Sequence, residues 1–137
     1  MHRDAMRIFA FVLLLLAAAV PAHAARPVTS CDKAPGLADF RERLPDHVLS
    51  AAATKPAKLT SEPKFRLGGL FRRGGNLICV VLAVDDAGRV QDAAVSYPAG
   101  LTLQPAEREQ FLVLRYSPAE IDGEPRPSLV TVTSYVR

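Results

Sequence analysis

Apolar residues are unevenly distributed along this chain, and their spacing divides it into elements. Leu77 to Val84 (LICVVLAV) is an unbroken apolar run of strand length, rich in β-branched residues. A strand apolar on both faces belongs in the middle of a sheet or under a covered outer face. Asp85-Asp86-Ala87-Gly88 predicts a turn, with Gly88 suited to positive φ. Arg89 to Ser96 (RVQDAAVS) predicts a second strand, and so short a connection makes the two an antiparallel hairpin. Tyr97-Pro98-Ala99-Gly100 closes that strand. Pro105 is tolerated at a first helical position and opens a helix to about Arg115. Leu103, Ala106, Gln110, Phe111 and Leu114 recur at helical spacing and predict its inner face. Ser117-Pro118 ends the helix, and AEIDGEPRP is a loop with a turn at Asp122-Gly123. In Ser128 to Val136, Leu129, Thr131, Thr133 and Tyr135 alternate with Val130, Val132, Ser134 and Val136, which predicts a strand. The order hairpin, helix, strand predicts a small α+β domain: an antiparallel sheet with the helix packed on one face.

Upstream, the pattern weakens. Residues 25–63 read as an N-terminal extension. Leu37 to Leu44 predicts a short helix stopped by Pro45, and Asp46 is placed to cap a second one through about Ala53. Thr54 to Pro63 is polar and interrupted by proline, hence a linker or extended arm. The stretch FRLGGLFRRGGN (65–76) holds two glycine pairs and three arginines, Arg66, Arg72 and Arg73. It reads first as a solvated, flexible basic loop, and second as a contact for an anionic surface such as lipid headgroups. The domain itself is assigned to residues 64–137.

The first 24 residues carry a different pattern. Arg3 and Arg7 precede the uncharged run Ile8 to Val20, Pro21 breaks it, and Ala22-His23-Ala24 sets small residues at the −3 and −1 positions of a cleavage site. That is the three-part form of a secretory signal peptide, with cleavage expected after Ala24. The rival is an uncleaved anchor, but a spanning helix needs about 20 apolar residues. Removing residues 1–24 from 137 leaves 113, enough for one small domain and a tail. The formal charge of +3 falls to about +2 without Arg3, Arg7 and Asp4, too mild to call for a nucleic-acid partner. Cys31 and Cys79 are the only cysteines. In an oxidising compartment an even pair suggests one disulfide; the other reading is a buried thiol at Cys79 and an unrelated Cys31.

Catalytic chemistry finds little to work with. His47 is the only histidine after residue 24, and it lies in the extension. The cysteines do not form Cys-x-x-Cys, and Asp85-Asp86 sits where a hairpin turn wants aspartate. No zinc-ligand spacing or phosphate-binding glycine loop is visible, so a non-enzymatic protein without metal or cofactor is expected.

One family shares the arrangement of the second half. Val84, Gly88-Arg89-Val90, Val95, Ala99-Gly100, Tyr116-Ser117-Pro118-Ala119 and Gly123-Glu124-Pro125 follow one another in the order and spacing of the TonB C-terminal domain. The stretch 76–137 resembles that domain. The resemblance implies a periplasmic protein-binding module. It would take an extended peptide of an outer-membrane transporter as an added strand, with the last strand as the edge and Thr131, Thr133 and Tyr135 lining one face. Two other readings stand beside it: an anchored energy transducer for transmembrane transport, and a structural or homodimeric periplasmic protein whose edge is covered. The sequence departs from the family in lacking a Tyr-Pro before the first strand and a long proline-rich spacer, so the resemblance implies the domain and its mode of binding but not energy coupling.

Overall fold

The computed structural model describes residues 30–135. The signal segment 1–24, its cleavage after Ala24, and Val136 at the end of the last predicted strand lie outside the described residues.

The chain is α+β. β3 (Leu77–Val84) and β4 (Val90–Tyr97) form the expected hairpin, and β8 (Ser128–Tyr135) pairs antiparallel along the other side of β3. A two-residue strand, β1 (Val48–Leu49), adds parallel to the start of β8, so the sheet order is β1-β8-β3-β4 and the sheet is mixed. β3 is central, and Ile78 to Val84 are all buried, which accounts for its continuous apolar run.

The hairpin turn is built from the residues that predict it. One carboxylate oxygen of Asp85 accepts the N–H groups of Ala87 and Arg89 at 3.0 and 2.8 Å, and the other accepts Gln91 Nε2 at 2.8 Å. Burial pushes the Asp85 carboxyl up, but these bonds and the charge of Arg89 outweigh it and hold it below its ordinary value.

Both faces of the sheet are covered. On one lie α2 (Gly68–Gly74) and α3 (Pro105–Leu112), whose Leu70 and Phe111 pack with Ile78, Val80, Leu82 and Val84. On the other lies α1 (Pro35–Arg43), whose Leu37 and Phe40 pack with Val81, Ala83 and Leu129. The helix expected on one face of the sheet is thus joined there by α2, and α1 lies on the other face. The second apolar face of β3 needs a cover, and residues upstream of 63 supply it. α1 approaches the sheet closely at Gly36, where a Cβ would sit 2.7 Å from the Ser96 carbonyl oxygen.

Five local expectations change. The helix from Asp46 to about Ala53 is instead β1 followed by a 3-10 turn at Ser50–Ala52, because pairing with β8 claims Val48 and Leu49. The arm 54–63 is extended but pinned: β2 (Lys58–Leu59) pairs with β5 (Tyr116–Ser117), and Lys55 bridges to Glu120. Residues 68–74 form α2 rather than a loop, because Leu70 is fully buried there. α3 ends at Leu112, short of Arg115, and Ala106 is exposed rather than on the inner face. The stretch from Ala119, expected as a loop, is a short hairpin instead: its turn at Asp122-Gly123 joins β6 (Ala119–Ile121) to β7 (Glu124–Arg126), with φ of 52° and 83° at its two central residues.

Cys31 and Cys79 are joined in a disulfide with Cα atoms 5.4 Å apart. The alternative of a free Cys79 is thereby removed. The bridge ties a 3-10 turn at Cys31–Lys33 to the central strand, and both cysteines are buried. A structural disulfide fits an oxidising compartment outside the cytoplasm. Among the described residues no helix is long and apolar enough to cross a membrane.

Candidate functional site

The structure places the sequence-selected residues in two separate regions. Thr131, Thr133 and Tyr135 lie on β8, with Thr131 opposite Val81, Thr133 opposite Cys79 and Tyr135 opposite Leu77. Their side chains therefore share the α1 face of the sheet. Two of them are engaged there: Thr131 Oγ1 donates to Asp32 Oδ1 at 2.9 Å, and Thr133 Oγ1 lies 3.0 Å from Cys31 Sγ. Tyr135 is 62% exposed.

The backbone of β8 is distinctive. The N–H of Val48 donates to the carbonyl of Pro127 at 3.0 Å, which fixes the side to which the odd-numbered residues turn. Backbone groups alternate sides along a strand. Thr131, Thr133 and Tyr135 therefore present their N–H and C=O away from β3. β1 covers only Ser128 and Leu129. Among the described residues, no strand pairs with the outer side of Val130 to Tyr135. This is an open edge about six residues long, the feature that templates pairing with another chain.

An apolar cavity of about 200 Å³ adjoins the edge where β1 leaves it. Leu37, Leu49, Ala51, Ala52, Leu129 and Thr131 line it, with Asp32 beside them. No signal in the sequence marked this cavity, because it forms only when α1, β1 and the 3-10 turn at Ser50–Ala52 converge on β8.

The arginines are not equivalent. Arg73 Nη2 donates to Glu107 Oε1 at 2.6 Å and to the Thr102 carbonyl at 3.2 Å, so its guanidinium is committed to the fold. Arg66 is exposed and is tied through its backbone to the Gln110 side chain at 2.6 and 3.1 Å, and Arg72 is exposed on α2. Arg66, Arg72 and Arg73 thus do not form one free anionic-surface contact.

Among the described residues Glu107 is the one buried acid, its side chain only 8% exposed. Burial pushes its carboxyl up, but hydrogen bonds from Arg73 and the Gln104 N–H, with the charge of Arg73, more than offset this and hold it below its ordinary 4.5. A depressed folded-state value makes the contribution full above the unfolded value and lost as pH falls through the folded one. The stability of the protein is thus expected to decline below about pH 4.5, and Glu107→Gln to flatten that decline while lowering stability at pH 7. Urea titrations at pH 7, 5, 4 and 3 measure both effects; parallel curves for the two proteins would count against this role.

Among the described residues no group of histidine, cysteine and acidic side chains is placed to hold a metal ion. A scan against family models, a search of curated proteins and a search of solved structures each returned no match.

Proposed function

We propose that this chain is an exported, non-enzymatic protein-binding module that takes an extended peptide segment of a partner as an added strand on β8. One observation carries the reading: β8 is fully paired with β3, while among the described residues no strand pairs with its other side from Val130 to Tyr135 once β1 turns away. Main-chain hydrogen bonds along such an edge supply affinity, and side-chain pockets supply selectivity. The resemblance of residues 76–137 to the TonB C-terminal domain supports the same mode. It suggests the periplasm as the compartment, after cleavage at Ala24, and an outer-membrane transporter as the partner. The Cys31–Cys79 disulfide supports export.

Pull-down from periplasmic extract with the mature protein tests this. Captured outer-membrane protein is expected, and it should be lost with Thr133→Pro, which removes one outward N–H while leaving the pairing with β3 to its neighbours. A folded Thr133→Pro protein that captures the same partner equally well would overturn strand addition at this edge.

A further inference from the structure

If a partner strand occupies the open edge, the residues beside that edge decide which peptides are accepted. An added strand continues the sheet, so a guest residue opposite Thr131 points its side chain to the same face as Thr131. That face holds the cavity of about 200 Å³ walled by Leu37, Leu49, Ala51, Ala52 and Leu129. The volume is below the roughly 300–1,000 Å³ typical of small-molecule sites, but it suits one aliphatic side chain. The walls come from residues 37–52 and Leu129, so most of the cavity lies outside the stretch that carries the family resemblance.

Charge sets the neighbouring position. Among the described residues, Asp32 is the only ionisable one lining the cavity. One of its oxygens is anchored by Thr131 Oγ1, and none of the ion pairs among the described residues involves it. β1 already occupies the place beside Ser128 and Leu129. The nearest same-face guest position that remains is opposite Thr133, two residues or about 7 Å along the strand. From there a long cationic side chain can reach back to Asp32.

We propose that the β8 edge selects an extended peptide bearing a branched aliphatic residue opposite Thr131 and a lysine or arginine two positions further on, opposite Thr133. The first fills the cavity and the second pairs with Asp32. This rests on the strand-addition reading and adds to it the chemistry of the peptide.

Fluorescently labelled heptapeptides test it: Thr-Val-Thr-Leu-Thr-Lys-Thr and its reverse, each also with the leucine replaced by alanine or the lysine by glutamate. Anisotropy gives affinity, and amide exchange of Val130 to Tyr135 reports edge pairing. One of the two directions is expected to bind. Replacing its leucine by alanine removes three apolar carbons and should weaken binding about fiftyfold. Ala52→Phe, at an exposed position on the cavity wall, should abolish that difference. Asp32→Asn should abolish the preference for lysine over glutamate. Equal binding of all the peptides with protection along β8 would leave strand addition standing and overturn the selectivity. The absence of both binding and protection at millimolar peptide would overturn strand addition as well. So would concentration-dependent protection of β8 without peptide, with a dimer in sedimentation, because a second copy would then own the edge.

Discussion

Replacing Cys31 and Cys79 together by alanine is expected to destabilise the protein by about 4 kcal/mol. The two cysteines are 48 residues apart in sequence. Closing a loop of that size removes about 4 kcal/mol of entropy from the unfolded chain in the loop-closure model. Domains of this size have roughly 5–15 kcal/mol of total stability, so the variant should keep only a fraction of it. The loss has a definite location. The loop contains α1, β1, β2 and α2, and the bridge fixes the 3-10 turn Cys31–Lys33 to the fully buried central strand. Without it, the Thr131–Asp32 bond and the packing of Ala34 and Leu37 remain to hold that turn. Urea unfolding of the oxidised protein and the double variant gives the magnitude. Amide exchange should show the largest loss of protection at residues 31–44. A cost below about 1 kcal/mol would mean that the burial of α1, not the cross-link, secures this half of the sheet.

Burial patterns that a single strand carries were legible in the sequence. The run Leu77 to Val84 predicts a strand in the middle of a sheet or under a covered outer face, and the strand is both central and covered. The hairpin, α3 and the Asp122-Gly123 turn likewise follow from residues close together in the chain. What escaped depends on contacts between distant residues. FRLGGLFRRGGN has the glycine content of a loop, yet Leu70 is fully buried and Arg73 reaches Glu107, so tertiary packing overrides poor helix propensity. Asp46 to Ala53 is too short to be stable as a helix alone, and two residues of parallel pairing with β8 are enough to redirect it. The site divides in the same way. Alternation places Thr131, Thr133 and Tyr135 on one face. That Asp32 and Cys31 stand against two of them, and that a cavity opens beside them, follows only from where the first 30 described residues fold.

Gly88→Ala is expected to cost about 2–5 kcal/mol, far more than its place in a hairpin turn suggests. Two effects add. Gly88 has φ of 83°, where an alanine costs about 1–2 kcal/mol. A Cβ there would also overlap the carbonyl oxygen of Tyr116. Relieving such an overlap by backbone shifts costs about 1–3 kcal/mol. The neighbour cannot easily yield. Tyr116 N–H donates to the Gly88 carbonyl at 2.9 Å, Arg89 bridges to Arg115, and β5 is held in turn by β2. Gly100 separates the two effects. Its φ is 80°, yet nothing lies within 4 Å of where its Cβ would be. Gly100→Ala should therefore cost only the conformational part, about 1–2 kcal/mol. Thermal or urea unfolding of the two variants gives the difference, and amide exchange at Tyr116 should rise in Gly88→Ala alone. Equal costs in the two variants would mean that the turn moves off β5 freely. In that case the contact that ties the hairpin to the 114–117 segment contributes little to the fold.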